Sequence, residues 1–369
     1  MIIGLYFVAG FVFLLVGADL LVRGGSRLAI NFGISPLVVG LTIVAYGTSA
    51  PELAVTVLAN VNDNADIAVG NIIGSNITNL LLVLGLSALV TPLVTPQSLL
   101  FRSGLLVVLL SFGMWGLALD GSISQLEGIG LLLGSILYTI LVIWTGKQHT
   151  PEEDPATREI LSEVAEIAEI APKQKATLSA VLWSFFLIVS GIVILAGSSS
   201  LLIDSAEKIA LAFKVDELFI GLTLVALGTS LPEGATAVVA AFKNERHIVI
   251  GNIIGSNIFN ILLILGTTGA IDPHGVLISP GAMRVDLPIM CLITTITWLL
   301  FFTGSQITRI EAITLLILYG LYFCYLLIEA KYPDFLPIYT TSCLYAFGPV
   351  LGAYLLYNIY SHHQGSKNA

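Results

Sequence analysis

Two stretches of this chain, 181 residues apart, repeat one another. Residues 40–85 read GLTIVAYGTSAPELAVTVLANVNDNADIAVGNIIGSNITNLLLVLG, and residues 221–266 read GLTLVALGTSLPEGATAVVAAFKNERHIVIGNIIGSNIFNILLILG. Aligned without a gap, 27 of the 46 positions are identical, and the matches concentrate in GTS-x-PE and GNIIGSNI-x-N. An internal repeat fixes the architecture first, because each copy is one structural unit. Polar residues match more closely than apolar ones, which a purely structural duplication does not explain.

The repeats lie in a chain built of long apolar runs. Hydrophobic residues make up 56% of the 369 residues, 11% are charged and the mean hydropathy is +0.95. Runs of about 20 apolar residues, long enough to cross the hydrocarbon core of a bilayer, recur from end to end. The composition therefore predicts an all-α polytopic membrane protein. Its eleven candidate spans are 2–22, 36–60, 67–92, 100–120, 126–146, 179–203, 217–242, 247–271, 283–303, 308–328 and 335–360.

Lysine and arginine residues orient these spans, because they concentrate in cytoplasmic loops. The loop after the first span and every second loop thereafter hold eleven of them, against four in the other loops. This distribution predicts an N-terminus outside and a C-terminus inside. The offset between the copies contains five crossings, so the sequence predicts two inverted-topology five-helix repeats (10 TM) and an eleventh C-terminal span. Such repeats are typical of secondary transporters, whose binding sites lie near the bilayer midplane.

The predicted organisation has four parts. They are a first five-span repeat (1–146), a cytoplasmic acidic linker (147–178), a second five-span repeat (179–328), and an extra span with a C-terminal tail (329–369). The linker holds much of the acidity behind the net charge of -9, and part of it has the spacing of an amphipathic helix. The acidity therefore says little about the spans, and nothing in the chain indicates nucleic acid.

Each copy places a carboxylate and several polar oxygens inside a span. Pro51 and Pro232 each remove a backbone donor and free carbonyl groups about one turn earlier. Such carbonyls are tolerated at membrane depth only where they line a cavity or meet a partner. Side chains four residues apart in the next span share one helix face. The candidate ion ligands are Ala45, Thr48, Ser49, Glu52, Ser75 and Asn79 in the first copy, and Ala226, Thr229, Ser230, Glu233, Ser256 and Asn260 in the second.

This donor set is composed of oxygen, which is typical of Ca²⁺ or Na⁺ sites and not of zinc or copper sites. Each motif alone has a plainer interpretation. A single TSxPE is compatible with a proline kink, and Ser and Asn in spans often join helices. Duplication at identical spacing in two inverted copies favours an ion cage, and Asn76 and Asn257 are expected to face away from it. No GxSxG, HExxH or Ser/His pairing indicates an enzyme.

The motifs GTSAPE with GNIIGSNITN, and GTSLPE with GNIIGSNIFN, resemble the two α-repeats of the sodium/calcium exchanger family, prokaryotic type, within the cation/calcium antiporter superfamily. The resemblance extends over the first ten spans. It implies exchange of one Ca²⁺ for several Na⁺ by alternating access, with ions held by spans 2, 3, 7 and 8 while spans 1 and 6 slide over this core. It further implies no cofactor, Ca²⁺ and Na⁺ as substrates, and a multi-pass location in the prokaryotic plasma (inner) membrane.

The resemblance also implies a role for each ligand. Glu52 and Glu233 are expected to be shared between Ca²⁺ and Na⁺, and the carbonyls of Thr48 and Thr229 to bind Ca²⁺. The remaining ligands divide into flanking Na⁺ sites, formed by Ala45, Ser49, Ser75, Ala226, Ser230 and Ser256, and two residues that border the centre, Asn79 and Asn260.

Alternatives remain open at this stage. At Asn260 some members of the family carry Asp, so the stoichiometry of this chain is not defined, and potassium co-transport is disfavoured. The proton-coupled branch has a further acidic residue where this chain has GSN, which favours sodium. The alternative function is Ca²⁺/H⁺ antiport with Glu52 and Glu233 as proton carriers, and a cation channel is a third hypothesis. The sequence does not define the oligomeric state.

Overall fold

The structure, a computed structural model, describes residues 2–32, 34–94, 97–148, 177–212, 227–304, 306–346, 348–349 and 352–354. The described part of the first half contains α1 (Ile2–Phe32), α2 (Pro36–Thr48), α3 (Ala50–Val61), α4 (Ala65–Val90), α5 (Gln97–Leu117) and α6 (Gln125–Gln148). The second half contains α7 (Leu178–Ala212), α8 (Leu231–Phe242), α9 (Arg246–Ile271), α10 (Leu287–Gly304) and α11 (Arg309–Lys331). A 3₁₀ turn at Pro333–Phe335 then leads into helical residues 336–346.

The predicted helical membrane architecture is confirmed. Among the described residues, eight helices are long and apolar enough to cross a membrane, and α2 with α3 forms one further span bent by 45°. Helix α8 is shorter, and the first residues of its predicted span, 217–226, lie outside the described residues, as does most of the 147–178 linker. The count of ten or eleven spans and their orientation therefore stay predictions.

Two helices are longer than their predicted spans. Helix α1 ends at Phe32 and α7 at Ala212, whereas the apolar pattern placed the ends near 22 and 203. The helix continues through Arg23 because this residue pairs with Asp19, one turn earlier, at 2.8 Å. It continues through Gly24 because α7 packs against that glycine, where a Cβ would lie 2.9 Å from the backbone nitrogen of Ile188. Charge and glycine therefore do not end either helix, and the limits of the membrane crossings stay predictions.

The break between α2 and α3 arises from the GTS-x-PE motif. Ser49 has φ −83° and ψ 3°, outside the helical region, and Pro51 occupies the first turn of α3. Proline is well placed there because a first-turn residue needs no intrahelical donor. Ser230 has nearly the same torsions, φ −87° and ψ 3°, with Pro232 in the first turn of α8. The two copies of the motif therefore share one backbone geometry.

Helices α4 and α9 form the centre of the molecule. Their apolar windows are 83% and 94% buried, whereas those of the other long helices reach at most 50%. Close packing around α9 depends on glycine, since a Cβ on Gly251 would lie 2.7 Å from the carbonyl oxygen of Leu37 and one on Gly255 would lie 2.9 Å from that of Leu41. The GNIIGSN motif thus brings the second repeat against α2 of the first repeat.

Two short antiparallel pairings join loops of the two halves. Residues Leu93–Val94 pair with Gln306–Ile307, and Ser122–Ile123 pair with Val276–Leu277. Gly275 begins the turn into the second pairing with φ +74°, and a Cβ there would lie 2.1 Å from the carbonyl oxygen of Ile123. Each pairing ties one repeat to the other beyond the ends of the central helices.

Candidate functional site

The two carboxylates of the repeat lie at the centre of the helix bundle. Glu52 is in the first turn of α3 and Glu233 is in the first turn of α8, and their side chains are 1% and 0% exposed. The start of a helix is favourable for a negative charge because its unpaired N–H groups point toward it. Two buried like charges are retained only where a further group compensates them.

Residues of the two repeats meet around these carboxylates. Ser49 donates from Oγ to Oε1 of Glu233 at 2.9 Å, and its Oγ also lies 3.2 Å from Oγ of Ser256. All of these groups are buried. The first-repeat motif GTSAPE therefore contacts the carboxylate and the GNIIGSN serine of the second repeat, so three of the predicted ligands, Ser49, Glu233 and Ser256, meet here.

Many oxygen atoms of this site have no partner in the protein. Among the described residues, buried side-chain atoms without a hydrogen-bond partner include both Glu52 oxygens, Oε2 of Glu233, Oγ of Ser75, Oγ of Ser230, Oδ1 of Asn79 and Oδ1 of Asn260. Buried polar atoms are ordinarily paired, because an unpaired one costs about 1–3 kcal/mol. These seven atoms are carboxylate, hydroxyl and amide oxygens, which are the ligands that a hard cation prefers.

The two central asparagines each begin a π-helical turn. Asn79–Val83 and Asn260–Leu265 interrupt α4 and α9 at equivalent positions. Such turns occur frequently at functional sites because they displace the backbone and reorient a side chain. Asn260 donates from Nδ2 to Oδ1 of Asn76 at 3.4 Å. Asn76 therefore contacts one predicted ligand, but its own Nδ2 donates to Sδ of Met290 at 3.6 Å, and Asn257 bonds its own helix at Ile253. The expectation that both face away from the ion site stays a prediction.

Of the two alanine carbonyls predicted as ligands, the structure describes only that of Ala45. The Ala45 carbonyl accepts the backbone N–H of Ser49 at 3.0 Å and lies 3.4 Å from Oγ1 of Thr48. It is therefore not a carbonyl freed by Pro51, since that proline removes the donor to Gly47. A carbonyl oxygen has a second lone pair, so Ala45 keeps acceptor capacity. Ala226 lies outside the described residues.

Two further asparagines of the site were missed by the sequence reasoning. Asn71 accepts a hydrogen bond from Oγ1 of Thr229 at 2.9 Å, and Asn252 accepts one from Oγ1 of Thr48 at 3.2 Å. Asn252 also donates to the backbone carbonyl of Glu233 at 3.4 Å. Both precede the predicted serines by four residues, so the spacing argument that placed Ser75 and Asn79 on one face applied to them as well.

The donor set limits the chemistry of the site. In the part of the chain that the structure describes, no group of three or more His, Cys, Asp or Glu side chains is placed to hold a metal ion. The cage instead combines two carboxylates with neutral oxygens, so it suits Ca²⁺ or Na⁺ better than a transition metal. Fold and site together define a helical membrane protein with a duplicated motif that buries two carboxylates among neutral oxygens.

The chain belongs to the sodium/calcium exchanger protein family, which matches residues 2–144 and 183–328. The putative antiporter CaxA of Alkalimonas amylolytica is 38% identical over 314 residues, covering 85% of this chain and 94% of CaxA. The sodium/calcium exchanger MaX1 of Methanosarcina acetivorans is 30% identical over 331 residues, covering 84% and 94%. The structure of the sodium-calcium exchanger NCX_Mj soaked with Na⁺ and Ca²⁺ matches with a TM-score of 0.71 and 30% identity over 90% of this chain and 99% of that chain. The resemblance drawn from the motifs is confirmed.

Proposed function

We propose that this protein exchanges Ca²⁺ for Na⁺ across the membrane by alternating access, with both ions bound at the cage between the repeats. The observation that carries the proposal is the set of unpaired oxygens around Glu52 and Glu233, to which both repeats contribute. Exchange of cations is the activity of the family, and the choice of Na⁺ as the coupling ion is supported by the relatives named as sodium/calcium exchangers.

The charge of the cage supports competition between the two ions. Two carboxylates neutralise one Ca²⁺ or two Na⁺, so the ions exclude one another from Glu52 and Glu233 on electrostatic grounds. A third Na⁺ would be coordinated by neutral oxygens alone. In this proposal Ca²⁺ binds the carboxylates with the Thr48 and Thr229 carbonyls, and the remaining predicted ligands form the flanking Na⁺ sites and the centre.

Proton coupling is the competing function, because the same two carboxylates could carry protons in place of Na⁺. The neutral oxygens favour Na⁺. Among the described residues, Ser75, Ser230, Asn79 and Asn260 have buried side-chain atoms without a partner, and in this proposal those atoms face the ions. A proton carrier needs no such shell. Coordination of a desolvated Na⁺ does need it, since each oxygen replaces one water of hydration.

The test is ⁴⁵Ca²⁺ uptake into proteoliposomes loaded with Na⁺ and diluted into Na⁺-free buffer, beside a set driven only by a pH gradient. We expect uptake in the first set. Glu52→Gln should abolish it in a protein that is still folded and inserted. The matched control is Glu311→Gln, because Glu311 is also buried but accepts hydrogen bonds from Thr308 in a helix cap that glutamine can keep.

Two results would contradict the proposal. Uptake that follows the pH gradient alone would make Glu52 and Glu233 proton carriers. Normal Na⁺-driven uptake by Glu52→Gln would remove this residue from the site.

The chain is a multi-pass integral membrane protein, and its bacterial and archaeal relatives support a location in the prokaryotic plasma membrane. We further propose that residues 1–146 and 179–328 are the two inverted five-span repeats and that 147–178 is a cytoplasmic linker. Residues 329–369 would then add a span outside the duplicated core. Insertion of a glycosylation or thiol reporter into the 147–178 segment would test the orientation.

A further inference from the structure

Helices α1 and α7 form a pair at the periphery of the bundle. They pack backbone to backbone, because a Cβ on Gly17, Gly24 or Gly191 would lie 2.7–2.9 Å from a backbone nitrogen of the other helix. Their other faces are exposed and apolar, as at Phe11 and Phe186. The pair is therefore one body that touches the cage helices on one side only.

A cluster of charged and polar side chains joins α1 to the turn between α8 and α9. Asp19 Oδ1 lies 2.5 Å from Nζ of Lys243, and Asp19 Oδ2 lies 2.8 Å from Nε of Arg23. Two turns after Asp19 on α1, Ser26 donates from Oγ to Oε1 of Glu245 at 2.9 Å. Both attachments reach the same three-residue turn, 243–245, and both lie at the end of α1 that the lysine and arginine distribution predicts to be cytoplasmic.

The equivalent turn of the first repeat has the same backbone. Asp63 and Asn244, 181 residues apart, both have φ 60°, and each turn closes with a 2.9 Å hydrogen bond from the backbone nitrogen of the next residue to the carbonyl of Ala59 or Ala240. The two turns therefore differ in their side chains and not in their fold.

Those side chains make different contacts. Asn62 donates to the Leu58 carbonyl and Asn64 to the Asn62 carbonyl, so both bond their own turn. On α7 the position equivalent to Asp19 is Ser200, which bonds the Ala196 carbonyl of its own helix. Among the described residues, α7 has no ion pair with the turn at 62–64. Among the described residues, α1 alone bonds one of these two turns, whereas α7 bonds the core through Ser199, whose Oγ donates to the Gly228 carbonyl at 2.7 Å.

We propose that Asp19, Lys243, Ser26 and Glu245 form a one-sided latch that holds the peripheral pair against the core and favours the state closed at the predicted cytoplasmic end. This rests on the proposed alternating access, in which the peripheral pair moves relative to the cage. Asp19 and Lys243 are positioning residues, since they set the orientation of α1 without touching the ions. The Na⁺ and Ca²⁺ ligands are duplicated, whereas the latch is not, so it biases the resting state toward access from the opposite side.

The contacts of the latch must also break during each transport cycle. The partial solvent exposure of the Asp19–Lys243 ion pair is consistent with such release. The side chains of Asp19 and Lys243 remain 31% and 29% exposed, so water and salt screen the pair. Partly exposed ion pairs contribute little individually, which corresponds to about a two- to fivefold change in an equilibrium between two states. A shift of that size changes which side is populated without blocking exchange.

The test measures the distance between spin labels on the full-length protein in lipid nanodiscs. Labels at Ile30→Cys on α1 and Ile310→Cys on α11 occupy exposed positions, in a background with Cys324→Ser and Cys343→Ser. We expect one main distance in the native protein. A minor fraction of the native protein should show a second, longer distance between the labels. Lys243→Gln should increase this fraction about two- to fivefold. Lys243→Glu, which repels Asp19, should increase it further.

The matched control is Arg246→Gln, because Arg246 carries the same charge and directly follows the turn, as the first residue of α9, but bonds Asn244 and not α1. It should leave the distances unchanged. Unchanged distances in both Lys243 variants would overturn the latch, as would an equal shift in Arg246→Gln.

A second readout separates the latch from the identity of the ions. In sided proteoliposomes, Lys243→Gln should lower the KM for Ca²⁺ presented at the predicted cytoplasmic face and raise it at the other face. If the distances shift but uptake follows protons, the latch stands and Na⁺ coupling fails. If uptake requires Na⁺ but neither the distances nor the KM values change, the proposed function stands and the latch fails.

Discussion

The hydrogen bond between Thr48 and Asn252 gives the sharpest test of how the two repeats cooperate. It joins Oγ1 of Thr48 to Oδ1 of Asn252 at 3.2 Å, and both side chains are fully buried. The replacement Thr48→Val keeps the shape of the side chain and the backbone carbonyl proposed to bind Ca²⁺. It therefore removes the hydroxyl, which also lies 3.4 Å from the Ala45 carbonyl, and leaves the Asn252 oxygen unpaired.

The magnitude follows from this geometry. A distance of 3.2 Å is long for a hydroxyl donor, so the net bond is worth about 0.5–1 kcal/mol, and an orphaned buried acceptor adds a cost of about 1–3 kcal/mol. If the cage must be ordered to bind, we expect Thr48→Val and Asn252→Leu each to weaken Ca²⁺ binding by about 1–2 kcal/mol, or roughly five- to thirtyfold in Kd. The double variant leaves no orphaned partner, so it should fall short of the sum by about 1 kcal/mol.

The assay is a double-mutant cycle, in which calorimetric Ca²⁺ titrations compare the four proteins in Na⁺-free detergent solution. Additive effects within about 0.3 kcal/mol would refute the coupling across repeats. Complete loss of binding in Thr48→Val would refute the assignment of the carbonyl, because the hydroxyl itself would then be the ligand.

Three further predictions concern single positions. Asn260→Asp adds a third carboxylate to the cage, so Ca²⁺ should bind about tenfold more tightly in the same titration; an unchanged Kd would mean that its unpaired oxygen does not face the ion. Ser49→Ala removes a donor to Glu233, and because bonds to charged groups contribute about 1.5–3 kcal/mol, the Na⁺ concentration for half-maximal Ca²⁺ uptake should rise about tenfold, whereas an unchanged value would contradict its role. Gly275→Ala places a Cβ against the Ile123 carbonyl at positive φ, and should lower the thermal midpoint in detergent by several degrees through a cost of about 1–3 kcal/mol; Gly121→Ala, at φ +90° in open space, should lower it less.

Several features of the site could be predicted from the sequence because each depends only on residues close together in one copy of the repeat. A proline one residue before a glutamate predicts a break in the span wherever the motif lies, and the breaks at Ser49 and Ser230 confirm it. The i, i+4 spacing places Ser75 with Asn79 on one face without knowledge of the fold. Each of these features can be predicted from the sequence of one helix, without knowing which helices pack against it.

The hydrogen bonds between residues of different repeats could not be predicted from the sequence, because they depend on how two helices pack together. The spacing gives the face of α9 that carries Asn252, but not that Thr48 of the other repeat meets it. The extension of α1 beyond its apolar run did not follow from the sequence for a similar reason. Arg23 and Gly24 resemble a loop when considered alone, and only the pairing with Asp19 and the packing against α7 make them helical.

The two copies of the repeat agree in their polar motifs and differ in their turns, and this difference has a physical reason. An ion that enters from either side must meet the same ligands, so a change in GTS-x-PE or GNIIGSN of one copy affects both halves of the cycle. The turns at 62–64 and 243–245 touch no ion, and their equal backbones leave their side chains free to differ. Charge at one turn changes the free energy of one orientation relative to the other, whereas charge at both would cancel. Asymmetry outside the cage is therefore the means by which a nearly symmetric carrier can favour one side at rest, and the pairing of Asp19 with Lys243 is where this chain places it.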